Sequence, residues 1–140
     1  MFDASYRASL GSHVAIDKEA TMRFLVLVKA NEQSEAGLVP AEQEFIEVGK
    51  FNQRLVNAGV LLAAEGLRPS STGARIDYTG PSLEVTDGPF AEAKELVGGF
   101  WILQTRDQDE VIAWMKRAPF AAGQVEIRQI AEAEDLASGR

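Results

Sequence analysis

Asp87 heads the residues of this chain that can do chemistry. It stands in Val85–Gly99, VTDGPFAEAKELVGG, at the end of an apolar alternating run and directly before Gly88-Pro89-Phe90. A carboxylate at a strand end, beside a glycine and an aromatic ring, can be partly desolvated, which makes it a better general base. The competing role is structural, because Asp in a turn accepts backbone N–H bonds and shapes it. Lys94 and Glu95 add a cation and a second carboxylate in the same stretch. Lys94 would bind an anionic substrate or keep Asp87 ionised. A solvated Lys94–Glu95 pair, contributing under about 1 kcal/mol, is the other reading.

Glu65 is conspicuous because the segment around it, VLLAAEG, is otherwise apolar. A carboxylate there must face water, pair with Arg68 or Arg128, or line a cavity. Arg68 and Arg128 could clamp a carboxylate ligand or partner Glu65 and Glu126. Phe90, Phe100 and Trp101 are suited to wall a pocket for a planar molecule, or to fill a core. The candidate site is therefore Asp87 as acid–base group, with Glu65, Arg68, Phe90, Lys94 and Trp101 around the ligand. Metal chemistry is not expected, since no His, Cys or carboxylate ligands recur at readable spacing. Gly98-Gly99 lacks the spacing of a phosphate loop. The single histidine, His13, supports neither a metal site nor a Ser–His nucleophile.

These residues need elements to hold them. In the Asp87-Gly88-Pro89 turn, Gly88 is expected to supply a positive φ while Pro89 fixes its own φ near −65°. Arg23–Lys29 (RFLVLVK) is apolar on both faces and reads as a central strand. Asn31–Val39 reads as a loop. A helix follows with Pro40 in its first position, an apolar stripe at Phe45, Val48, Phe51 and Leu55, and Gly59 as its left-handed cap. Val60–Gly66 is the second strand. Ala74–Thr79 and Leu83–Thr86 alternate across Gly80-Pro81-Ser82 as a hairpin. Gly99–Thr105 is the next strand. Asp107 and Glu110 form a capping box for a helix with Val111, Trp114 or Met115, and Ala118 inward, stopped by Pro119. Val125–Ile130 is the last strand, and residues 131–140 form an acidic, polar tail. The order β-α-β, hairpin, β-α-β predicts an α+β, ferredoxin-like split βαβ with an inserted hairpin. Helices on one side leave the other sheet face uncovered, which predicts a homodimer through that face.

The bulk numbers bound the function. A chain of 140 residues fits one domain, and 46% hydrophobic with 25% charged residues is an ordinary globular composition. The absence of cysteine removes disulfides and thiolate chemistry and fits a cytoplasmic protein. A net charge of −7 argues against nucleic acid. No apolar run is longer than Phe24–Val28, which is too short to span a membrane. Met1–Thr21 lacks periodicity and the apolar core of a signal peptide, and reads as an extension preceding a domain from Met22 to Ile130.

Several of these segments resemble the YCII-related superfamily, in the branch named for its Asp-Gly-Pro-Phe motif. The resemblance rests on Asp87-Gly88-Pro89-Phe90, Glu65-Gly66-Leu67 with Pro69, Lys94-Glu95, Gly98-Gly99-Phe100 and Val125-Glu126-Ile127-Arg128. Ala93 departs from the pattern, which has threonine there. The resemblance implies a dimeric α+β barrel and lyase or isomerase chemistry by proton transfer, with no cofactor. Relatives are thought to use a His–Asp dyad, but His13 lies outside the matched region, so the dyad is not carried over. Two functions follow. One is acid–base chemistry on a small anionic or aromatic ligand near Asp87. The alternative is a non-catalytic ligand-binding or regulatory module, linked through the resemblance to extracytoplasmic-function sigma factors.

Overall fold

In the computed structural model, residues 21–38, 40–91 and 95–137 are described. The expectations for the extension, His13 and Lys94 lie outside them, apart from Thr21, whose hydroxyl accepts a 3.0 Å hydrogen bond from the Gln104 amide. The elements are β1 (Met22–Lys29), α1 (Glu32–Glu35), α2 (Glu42–Asn57), β2 (Leu61–Gly66), β3 (Ala74–Asp77), β4 (Glu84–Asp87), β5 (Val97–Thr105), α3 (Gln108–Met115), β6 (Val125–Gln129) and α4 (Ala133–Ala137). The fold is α+β. Its main sheet has the antiparallel order β2-β5-β1-β6, consistent with a ferredoxin-like arrangement, and β3 pairs with β4 separately.

The doubly apolar strands take the middle of the sheet. Register sets Phe24 against Leu103 and Val26 against Trp101. All four are buried with Leu61 and Ala64 of β2, Phe51 and Leu55 of α2 and Val111 of α3. Each such side chain removed from water contributes roughly 1.5–3 kcal/mol before the entropy of ordering it. Trp101 is fixed within this layer. Its indole N–H donates to Asn52 Oδ1 at 2.8 Å, and the Phe51 ring meets it edge-on at 5.8 Å. The Asn52 side chain is fully buried and its Nδ2 has no partner among the described residues. That orientation is dictated by Trp101, because indole can only donate.

The other residues of the same strands, Leu25 and Leu27 of β1 with Phe100 and Ile102 of β5, fall on the face away from the helices. Glu126 of β6 stands beside Leu27 there and Arg128 beside Leu25. Lys29 lies 3.3 Å from Glu126 and Arg128 lies 3.4 Å from it. Lys29 first, then Arg128, holds the Glu126 carboxyl below its usual range.

Helix boundaries depart from expectation in instructive ways. Pro40 precedes α2 instead of opening it, and Ala41 is the N-cap without a side-chain cap. Gly59 does close α2, at φ 74°, with its N–H on the Val56 carbonyl and the Val60 N–H on that of Leu55. Residues 31–38, expected as loop, contain a single helical turn, α1, where Asn31 Oδ1 accepts from the Ser34 N–H and Ser34 Oγ from the Asn31 N–H. Asp107 caps α3 by accepting from the Glu110 N–H. The Glu110 carboxylate reaches back one residue further than a capping box requires, to the Arg106 N–H at 2.9 Å. The tail carries α4, and Arg23 grips Glu132 through two hydrogen bonds of 2.7 and 3.0 Å.

The turn after β4 is held from outside. Ser70 lies in a short 3-10 turn, and its N–H and hydroxyl both donate to the Glu35 carboxylate of α1, at 2.9 and 2.5 Å. The same hydroxyl oxygen accepts the Phe90 N–H at 3.1 Å. Gly88 donates to the Gly73 carbonyl at 3.0 Å, and the Gly88–Pro89 peptide is cis. Gly88 does not adopt the positive φ expected of it; among the described residues the positive-φ glycines are Gly37, Gly59 and Gly123. Glycine is needed there because a Cβ would collide with the Ser70 carbonyl.

Two substitutions check these anchors. Ser70→Ala removes the donor to Glu35 and the acceptor for Phe90, and is expected to cost about 1–2 kcal/mol and speed amide exchange at Phe90. Unchanged exchange at that amide would show the turn to be held by other contacts. Trp101→Phe strips Asn52 of its partner and is expected to cost about 1–3 kcal/mol, partly recovered when Asn52→Leu is added. Chemical denaturation of the three variants reads this directly.

Candidate functional site

A cleft of about 410 Å³ opens between the N-terminal half of α2, the helix-covered sheet face and the segment after α3. Val28 and Trp101 lie on its sheet side, beside the bare backbone of Gly98 and Gly99. The bareness has a packing cause. A Cβ on Gly99 would stand 2.9 Å from the Glu65 carbonyl oxygen, and one on Gly98 would stand 3.4 Å from Ala30 Cα. Pro40, Glu44, Phe45 and Val48 form the α2 wall, and Pro119–Ala122 form another. Asn31 and Gln33 border it from the start of α1.

The α2 stripe explains why there is space here. Phe51 and Leu55 are fully buried, whereas Phe45, on the same stripe, is 45% exposed. Phe120 is 42% exposed, and its ring centroid lies 5.9 Å from that of Trp101. Two large aromatic side chains are thus left half in water beside a buried indole. The ionisable residues of the described lining are Glu44 and Glu65; no Lys, Arg or His is among them.

The residues singled out from the sequence fall in three places. Trp101 and Glu65 border the cleft. Register pairs Glu65 with Phe100, the alternate of the buried Trp101, so the pleat carries the Glu65 side chain toward the uncovered face. Asp87 is the last residue of β4, pairs with Ala74, and is exposed. Phe90 is half-buried under the Arg75 guanidinium, 3.9 Å above its ring. Arg68 is exposed. None of Asp87, Arg68 and Phe90 is part of the cleft lining. Lys94 lies outside the described residues. Phe45, expected within the core, and Phe120, not singled out at all, are the additions. A phenylalanine following a helix-stopping proline is the sequence signal that marks Phe120.

Among the described residues no three His, Cys, Asp or Glu side chains gather as metal ligands. No described helix is long and apolar enough to cross a membrane.

Comparison with known proteins adds the family. An uncharacterised protein of Rhizobium meliloti (strain 1021) is 27% identical over 115 residues, covering 79% of this chain and 93% of that protein. The YCII-related domain matches residues 22–134, a span that includes all six strands and the cleft. On that match, the chain belongs to the YCII-related family.

Proposed function

We propose that this protein binds a small, largely apolar molecule in the cleft between α2, the sheet and Pro119–Ala122. One observation carries the reading: Phe45 and Phe120, both half-exposed, line the same cleft as the buried Trp101. The volume lies within the roughly 300–1,000 Å³ of small-molecule sites, and mixed apolar and polar lining is typical of them. In this reading the Asp-Gly-Pro-Phe turn is mainly architectural, being tied to Ser70 and through it to Glu35. A catalytic version adds Asp87 as acid–base group, and the non-catalytic module does without it.

A hydrophobic fluorescent probe such as 1-naphthol should bind the wild type, with Phe45→Ala and Phe120→Ala each weakening it by about tenfold. Equal binding by both variants would remove the cleft from consideration. In the same series, an Asp87→Asn variant that keeps binding but loses turnover of a bound compound supports the catalytic version. Unchanged behaviour supports the binding module.

We also propose that a second copy covers the open sheet face. Leu25, Leu27, Phe100 and Ile102 form its apolar centre, flanked by Glu126 and Arg128 on the β6 edge. An apolar patch with a charged rim is the usual anatomy of a subunit contact. Light scattering at micromolar concentration should give twice the chain mass of 15.2 kDa, and Leu27→Glu should return it to one. A wild-type mass of one chain would sink the proposal.

A further inference from the structure

The hairpin of β3 and β4 is built inside out. We infer that it is a dimerisation arm, whose outward apolar side packs on a second copy of this chain beside the open sheet face. The inference rests on the dimer proposed above and adds a further part to its contact surface.

Register fixes the two sides of the arm. Ile76 pairs with Val85 and Ala74 with Asp87 on one side, while Arg75 pairs with Thr86 and Asp77 with Glu84 on the other. Alternation adds Tyr78 and Leu83, just beyond the strand ends, to the first side. That side is apolar apart from Asp87 at its base, and the other is polar. The polar side meets the body of the protein. The Arg75 guanidinium lies 3.9 Å above the Phe90 ring, and Phe90 is tied to Ser70. The apolar side stands in water, with Ile76, Tyr78, Leu83 and Val85 between 49% and 72% exposed. A lone chain would gain more from the opposite arrangement, because burial favours apolar side chains and penalises polar ones. All eight residues of β3 and β4 are exposed, and a two-stranded hairpin without a packed face is marginally stable in water.

The area of the contact indicates what covers the arm. The open sheet face is made of strands 5 to 9 residues long. At about 4.8 Å between strands and about 3.4 Å per residue, it spans roughly 450 Å² in projection. A stable dimer commonly draws roughly 800 Å² from each partner, so the sheet face supplies only about half. At the same spacings the arm adds roughly 160 Å², and four large apolar side chains project from it. The arm also leaves from the right place. β2 ends at Gly66 and β5 starts at Val97, where the Leu67 N–H donates to the Gly98 carbonyl, so the arm springs from the rim of the open face. One occupant therefore meets both needs, an interface short of area and an arm short of cover. Twofold symmetry gives each copy one arm to offer and one to receive.

The chain contains no cysteine, so a single nitroxide label can be placed at will on the full-length protein. Tyr78→Cys puts the label on the apolar side, and Glu84→Cys puts it on the polar side. At concentrations where light scattering gives two chains, the label at position 78 should be immobilised and the label at 84 should stay mobile. On dilution to one chain, both should be mobile. In unlabelled protein, Leu83→Thr with Val85→Thr keeps β-branched or strand-compatible side chains and should weaken the dimer by about tenfold or more. A label at 78 that stays mobile in the two-chain form, or an unchanged dimer affinity in the double variant, overturns the arm while the sheet-face dimer stands. Equal immobilisation in the one-chain form shows that the chain covers its own arm, and overturns the inference. A wild type that stays one chain at every concentration removes the dimer and the arm together.

Discussion

Among the described residues, helices pack on one side of the four-stranded sheet and none covers the other, and the two central strands are apolar on both sides. The rest of the molecule answers to that constraint. On the covered side, α2 is the long helix, and it buries Phe51, Asn52 and Leu55 toward its C-terminal end. Its N-terminal half does not complete the layer, so the space over Gly98 and Gly99 is left for Phe45, Phe120 and whatever they enclose. On the uncovered side, Leu25, Leu27, Phe100 and Ile102 remain, with charges at the β6 edge, at the ends of β1 and at Glu65 of β2. The cleft and the open face are therefore two results of one incomplete covering.

Trp101 stands where these two results are held apart. It is buried against Phe51 and bonded to Asn52, yet it borders the cleft. A buried amide with one satisfied half is an expensive way to hold an indole, since Nδ2 finds no partner among the described residues. The gain is orientation. The ring cannot rotate without breaking a buried hydrogen bond, so a contacting molecule meets a surface of fixed shape.

The strands and the two main helices were legible because their periodicity is long and strong: RFLVLVK and GFWILQT can only be buried strands, and Phe51 and Leu55 can only point inward. The failures share a different cause. The one-turn α1 is too short for a periodic signal, although Asn31 and Ser34 spell its reciprocal cap. The reason for Gly88 lies at Ser70, eighteen positions earlier, which no local reading reaches. The cleft was least legible, because its walls come from Pro40–Val48 and Pro119–Ala122, segments that only the fold brings together. Residue type drew attention to the Asp-Gly-Pro-Phe turn, and contact geometry drew it to Phe45 and Phe120.

The close approach of Gly88 to the Ser70 carbonyl has a consequence for how such chains can change over time. A side chain at position 88 requires the backbone at position 70 to retreat, and that retreat would break the hydrogen bonds from Ser70 to Glu35 and from Phe90 to Ser70. The three segments around residues 35, 70 and 88 can therefore drift only as a set. A lineage that replaces one must pass through an intermediate with a loosened turn or change all three together. Sequence variation at this turn is thus constrained by its distant partners rather than by the four residues that make it recognisable.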